Sequence, residues 1–260
     1  TKNSARVMPS GKSSRNWRAS AVKNMSASGW SETQKKPLMT EHTPVLYSFR
    51  RCPYAMRARM ALWSARISVI LREVKLSDKP QALREISPKA TVPVLISANG
   101  PLLEESIDIM RWALGKNDPE GWLAGDDREL IERNDGPFKR HLDRYKYPTR
   151  YADEANGDEE TFRYDHRSSG LAILTDLDTR LGGQKYLCGD TRTLADIALF
   201  TFVRQFANTD RDWFDVQGLP HLQQWLEQHL ASDLFKAIMP KFVPWKAGDD
   251  RILFGPDQAT

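Results

Sequence analysis

A short apolar run, Val45-Leu46-Tyr47-Ser48-Phe49, is followed at once by Arg50-Arg51-Cys52-Pro53, and then by a stretch to Arg66 rich in Ala, Met, Leu and Arg. The run reads as a buried strand bounded by Pro44, and the stretch as a helix. Pro53 suits the first helical position, where its missing N–H would have no partner in any case. Cys52 is then the N-cap, with the free amides of Tyr54 and Ala55 turned toward its sulfur. A helix N-terminus carries positive partial charge, so the expectation is a thiol pKa below that of free cysteine. Arg50 and Arg51 add to this if their side chains turn inward. Most free cysteines are small buried hydrophobes, but a thiol at a strand-to-helix junction led by Cys-Pro favours the reactive reading.

The following residues extend a βαβ pattern. Val69 to Leu76 is apolar and β-branched enough for a second strand, parallel to the first through a right-handed crossover. Pro80 to Ile86 reads as a short helix, stopped by Ser87-Pro88 because a residue before proline is pushed out of the helical region. Thr91-Val92-Pro93-Val94-Leu95-Ile96 is a strand with proline at its entrance. Asn99-Gly100 is a hairpin signal that pairs Pro101-Leu102-Leu103 antiparallel with it, and Glu105 to Leu114 closes the unit as a helix ending at Gly115. Position 55, three residues after Cys52, is alanine, so the motif holds no dithiol and only monothiol chemistry remains.

This order, with Cys-Pro after the first strand, resembles the thioredoxin fold. Cys52-Pro53-Tyr54-Ala55, Val92-Pro93 and Glu104-Glu105-Ser106-Ile107 together resemble the glutathione-binding domain of the cytosolic glutathione transferases, and within them the cysteine-type, omega-like thiol transferases. The spacing from Cys52 follows the omega pattern without a gap: 27 residues to Lys79, 40 to Val92 and 53 to Glu105. The resemblance implies that Val92 offers its backbone to the cysteinyl part of glutathione and that Pro93 is a cis residue, a proline speciality. It implies that Glu105 holds the γ-glutamyl ammonium, Ser106 holds the γ-glutamyl carboxylate, and Lys79 meets the glycine carboxylate. Tyr54 belongs to the same glutathione-binding set. Without that register, Glu105-Ser106 is a plain helix start and Lys79 a solvated lysine. Tyr47 and Ser48, upstream on the strand, stand as possible hydroxyl helpers.

The formal charge of +4 is unevenly spread. Residues 1–38 hold eight Lys/Arg and one acid, Glu32, which leaves 30 of the 38 basic and 33 of the 34 acidic residues, net −3, for the remainder. The body therefore has no electrostatic case for nucleic acid, and no run approaches the ~18 apolar residues of a membrane span. Residues 1–40 read as a disordered basic tail. Met39-Thr40-Glu41 is a natural start, so an extended or misplaced beginning is preferred to an organellar transit peptide. Two cysteines make no disulfide scaffold, and a cytoplasmic, reducing setting is the default.

Residues 41–116 form the expected thioredoxin-like domain, 117–126 a linker, 127–247 an all-helical domain and 248–260 a C-terminal tail. No strand is expected beyond the linker. Helices are expected over Arg128–Tyr145, Glu159–Leu181, Thr193–Asn208, Pro220–Gln228 and Ser232–Ile238. The fold class is thus an α/β thioredoxin-like domain followed by an all-α one. Thr193-Leu194-Ala195-Asp196 reads as a capping box, which makes Asp196 structural. Cys188 reads as a packed hydrophobe. The five histidines show no metal-ligand spacing, so no metal is expected. Phe138, Tyr145, Tyr147 and Tyr151 line an acceptor pocket or are core.

Three functions remain in view. The first is a glutathione-dependent thiol transferase in which Cys52 forms a mixed disulfide with glutathione, with deglutathionylation as its reaction and dehydroascorbate reduction as an option. The second is a non-catalytic interaction protein of the same fold, and the third a conventional conjugating transferase. Glutathione is the expected co-substrate beside an unidentified second substrate, and the resemblance implies a homodimer.

Overall fold

The computed structural model describes residues 43–97 and 100–256. Residues 1–42, which include the expected basic tail, and Asn99 of the hairpin signal lie outside the described residues. In chain order the elements are β1 (Val45–Ser48), α1 (Pro53–Ser64), β2 (Val69–Glu73), α2 (Gln81–Ile86), β3 (Val94–Ile96), β4 (Leu102–Leu103) and α3 (Ser106–Lys116). A 3-10 turn, Trp122–Gly125, leads to α4 (Arg128–Arg133), a π-turn (Asn134–Phe138) and α5 (Lys139–Lys146). A further 3-10 turn, Pro148–Tyr151, precedes α6 (Ala152–Ala155), α7 (Glu159–Gly182), α8 (Leu194–Ala207), α9 (Arg211–Asp215), α10 (Pro220–Ala231), α11 (Asp233–Ile238) and β5 (Ile252–Phe254).

The sheet runs β4-β3-β1-β2-β5, with β1 and β2 parallel and the other pairs antiparallel. Alternation along its strands sorts side chains between two cores. Leu46, Leu71 and Leu95 face α1 and α3 and join a core that continues into the helical domain through the fully buried Trp122. Tyr47, Val74 and Val94 face the other way, with Leu83 of α2, Val92 and Ala90. Cys52 and Trp245 pack at the margin of that second cluster.

Two expectations change. Within the expected tail, Ile252-Leu253-Phe254 pairs with Leu71-Ile70-Val69 and covers the outer edge of β2. An unpaired sheet edge is a liability, and three apolar residues suffice to cover this one. Before reaching it, the chain crosses the sheet's second face, where the Trp245 amide donates to the Glu73 carbonyl at 2.8 Å. The single helix expected over 128–145 is divided at Gly136-Pro137. Proline has no N–H to continue the ladder, and the backbone widens into the π-turn. Of the two readings left open for Phe138 and Tyr145, the core one holds: both are fully buried against Phe206.

Helix α8 is the axis of the helical domain, buried from Leu194 to Val203. Its N-terminus carries the expected capping box. The Asp196 carboxylate accepts the Thr193 amide at 2.9 Å, the Thr193 hydroxyl at 2.8 Å, the Leu187 amide at 2.8 Å and the Trp225 indole N–H at 2.9 Å. Cys188 lies nearby, partly buried among residues of the helical core, its sulfur 3.9 Å from the Gly125 carbonyl. Among the described residues no helix is long and apolar enough to cross a membrane.

Candidate active site

The thiol sits where the strand-to-helix junction predicts. Cys52 is the N-cap of α1 with extended backbone (φ −78°, ψ 123°), and Pro53 occupies the first helical position. Its amide is tied back to the Phe49 carbonyl at 3.0 Å, and its carbonyl accepts the first helical bond from Met56. The Val92–Pro93 peptide is cis. Cys52 Sγ donates to the Val92 carbonyl at 3.6 Å. The residues farthest apart among the three, Cys52 and Pro93, are thus brought together by the pairing of β1 with β3.

The electrostatics differ from expectation. Burial pushes the Cys52 thiol above its ordinary value, and this outweighs the opposing pull of the Ala55 and Tyr54 amides, then of Lys139 and Arg57. Arg50 and Arg51 are absent from that set, each engaged elsewhere. Arg50 Nη1 reaches the Met239 carbonyl at 3.5 Å, and Arg51 lies over the Phe49 ring. A neutral thiol loses less on leaving water than a thiolate does, and at this junction that cost exceeds what the helix end returns. Tyr47 and Ser48 are not helpers. Tyr47 accepts from Arg72 and Ser48 from Arg59, and both are fully buried.

Ser106, the first residue of α3, is buried, and its hydroxyl accepts from Arg57 Nε at 2.9 Å. The hydroxyl retains its proton to donate to a ligand carboxylate. Arg57 continues to Asp135 through both terminal nitrogens, at 2.9 and 2.5 Å, and lies against the rings of both Tyr54 and Phe202, at 5.0 and 5.2 Å from their centroids. The residue that fixes Ser106 therefore also joins the two domains, since Asp135 belongs to the π-turn. Glu105 behaves differently. It is exposed, two-thirds of its side chain open to solvent, with Lys89 Nζ at 3.2 Å. Its neighbour Glu104 accepts the Ser87 hydroxyl at 2.5 Å. Lys79 stands apart from this cluster. It lines a groove of about 580 Å³ between the start of α2 and the C-terminal segment, with Trp245 and Lys246 opposite. Tyr54 packs edge-on against Phe202, and burial raises its hydroxyl pKa.

Arg57, Asp135, Lys139 and Glu73 were not singled out in the sequence. Glu73 pairs with the buried Arg59 and accepts the Arg50 amide at 2.7 Å, which steadies the loop ahead of the thiol. A signal did exist for Arg57 and for Glu73's partner Arg59: both interrupt an otherwise apolar helix, and buried guanidinium groups require partners. Gly136-Pro137 likewise marks the break that aims Asp135. His141 and His166 also meet without sequence warning, with Nδ1 atoms 2.8 Å apart between α5 and α7. Burial lowers the pKa of both. Among the described residues no three His, Cys, Asp or Glu side chains gather in a way that could hold a metal.

Comparisons with known proteins bear on both domains. Residues 46–121 match the family model described as glutathione S-transferase, N-terminal domain, and residues 129–228 match that for its C-terminal domain. A probable glutathione S-transferase, parA of Nicotiana tabacum, is 26% identical over 78% of this chain and 91% of its own length. Glutathione S-transferase U22 of Arabidopsis thaliana is 28% identical over 64% of this chain and 75% of its own. Among solved structures, a glutathione transferase family member from Pseudomonas fluorescens with two glutathione bound superposes with a TM-score of 0.66, at 19% identity, covering 80% of this chain and 96% of that one. The latter likeness concerns the fold. With both domain models matched in order along one continuous fold, the chain belongs to the glutathione S-transferase superfamily of enzymes.

Proposed function

We propose that the chain is a glutathione-dependent thiol transferase of the cysteine-type, omega-like branch, with Cys52 as its nucleophile. The observation that carries this reading is the thiol at an otherwise open helix N-cap, 3.6 Å from the carbonyl of the cis Val92–Pro93 turn. Glutathione bound as a short strand along Val92 would place its sulfur beside Cys52. Ser106 and the start of α3 would take its γ-glutamyl carboxylate, and Glu105 would exchange Lys89 for its ammonium. Lys79 would meet the glycine carboxylate from the groove beside α2.

In the reaction, the Cys52 thiolate attacks the glutathionyl sulfur of a mixed disulfide. The S–S bond breaks, the acceptor thiolate leaves and takes up a proton, and Cys52 carries the glutathionyl group. A second glutathione thiolate then attacks that bond, releasing glutathione disulfide and the Cys52 thiolate. Ala55 offers no internal thiol to compete. Since burial keeps the resting sulfur protonated, turnover should rise with pH as the thiol ionises. Deglutathionylation fits this sequence directly, and dehydroascorbate reduction would use the same covalent intermediate.

The raised thiol pKa also favours a second reading, conjugation of glutathione to electrophiles, in which a neutral Cys52 S–H donates weakly to a bound glutathione thiolate. Intact mass after incubation with oxidised glutathione separates the two, read together with turnover of a glutathione mixed disulfide against an aryl halide. One glutathionyl group on Cys52 and preference for the disulfide are expected. A label on Cys188 with Cys52 free removes the mechanism. We further propose a cytoplasmic homodimer, for which light scattering across micromolar concentrations should give twice the chain mass.

A further inference from the structure

The helical domain brings a cation to the thiol corner. Lys139 opens α5 immediately after the π-turn, and its Nζ stands 5.8 Å from the centroid of the Tyr54 ring. Tyr54 is the second residue of α1, and its amide faces the Cys52 sulfur. The charged and titratable groups here are Cys52, Tyr54 and Arg57 from α1, Asp135 from the π-turn, and Lys139 and Asp143 from α5. Arg57 is committed: Nε to Ser106, Nη1 to Asp135 and the Ala198 carbonyl, and Nη2 to Asp135. Lys139 is held differently. Its ion-pair partner is Asp143, one turn along the same helix, and both side chains are partly open to water, at 20% and 25%. Helical pairs of this kind are weak, so the ammonium can change partner at little cost.

We propose that Lys139 is the residue through which the helical domain stabilises the Cys52 thiolate, with Asp143 as the counter-ion that holds it while the sulfur is neutral. Lys139 is in this sense a positioning charge for the nucleophile; it makes no bond to the reacting atoms. It answers the cost of burying the thiol with a positive charge drawn from the other domain, at the moment negative charge appears on the sulfur. The same ammonium would ease departure of Cys52 as a thiolate when the second glutathione attacks. The inference rests on the reading of Cys52 as the nucleophile.

The test is the pH dependence of Cys52 alkylation in the full-length, ligand-free chain, with iodoacetamide as a neutral probe and peptide mass to separate Cys52 from Cys188. Lys139→Met should raise the midpoint by about half a pH unit or more and slow alkylation near neutral pH about threefold. Asp143→Asn should move the midpoint the opposite way, and Lys139→Arg should restore the parent profile. Thermal unfolding of each variant checks the fold, and a merely structural role would not give shifts of opposite sign. A Lys139→Met midpoint equal to the parent, or an upward shift in Asp143→Asn, overturns the inference. Alkylation needs neither glutathione nor turnover, so its failure is distinguishable from failure of the thiol-transferase reading, which would appear as normal shifts without glutathionyl transfer.

Discussion

Two helix beginnings in this molecule face the same chemical problem and meet it in opposite ways. At α8, Asp196 is fully buried, and its two carboxylate oxygens accept four donors from three separate segments. At α1, the N-cap is a cysteine whose side chain makes no capping bond, and the amides beside it face a neutral sulfur. The first arrangement is closed: every donor is used, and the helix is pinned to the turn before it and to α10. The second retains unspent positive potential beside a partly buried thiol, which is where an anion formed during reaction gains most. A saturated carboxylate anchors the start of α8, and an N-cap without a capping bond is left at α1, where chemistry is proposed.

The comparison can be broken most sharply at its two centres. Cys52→Ser should abolish glutathionyl transfer while glutathione affinity persists, since Val92, Glu105 and Ser106 are untouched; a disulfide-exchange assay beside calorimetric titration reads both. Residual transfer at the parent rate would show that the open end is not the reactive one. Asp196→Ala should leave the Leu187 amide and Trp225 indole N–H buried without an acceptor, at a cost on the order of 3 kcal/mol. That corresponds to a fall in Tm of roughly 6–12 °C for a chain of this size, with the affinity of the folded fraction unchanged. A variant that melts with the parent would sink the assignment of Asp196 as the structural hub.

Glu105→Ala with Ser106→Ala sharpens the comparison at a third helix start, that of α3. Loss of charge-assisted contacts of about 1.5–3 kcal/mol each should weaken binding of a non-reactive glutathione analogue roughly tenfold or more per contact. Ser106→Ala alone should cost more than Glu105→Ala, because Ser106 is fixed by Arg57 whereas Glu105 must first give up Lys89. Equal binding by the double variant would displace the proposed site.

A further expected effect, seen only on acidification, concerns a buried group that neither helix start uses. His229 lies in the helical core against Phe200 and Trp225, and burial, then the Arg192 charge, lowers its pKa to about 3. The unfolded chain binds this proton near pH 6.5, so between pH 6.5 and about 3 the unfolded state holds more protons and stability falls as pH falls. The expected slope is up to about 1.4 kcal/mol per pH unit in that window. Chemical denaturation of His229→Phe over pH 4–7 should show a shallower slope than the parent; parallel curves would remove the claim.

Much of this was legible locally. Pro53 after Cys52, Pro93 after Val92, and Thr193 three residues before Asp196 are short-range signals, each acting within one turn of chain, and each element they mark is formed. The order strand, helix, strand, short helix, hairpin and helix followed from apolar periodicity and proline positions. What failed lay at longer range. Ile252-Leu253-Phe254 has too few residues to announce a strand, and only the open edge of β2 makes it one. Phe138 and Tyr145 did not fail but stayed open between pocket and core, and only their burial against Phe206 decides for the core.

Sequence by itself determined where the thiol stands and that α8 begins in a capping box, because these depend on residues adjacent along the chain and on fixed backbone geometry. The Val92 carbonyl, 40 residues on, reaches the sulfur only through the pairing of β1 with β3. Tertiary structure alone decided the charge state of that thiol and the company it keeps. Desolvation is set by everything packed around the sulfur, and the opposing cations, Arg57 and Lys139, come from one turn up α1 and from a different domain. Arg50 and Arg51, the cations nearest in sequence, turn to Met239 and Phe49 instead. Sequence neighbours share a backbone but need not share a direction, and electrostatic energy depends on distance through space.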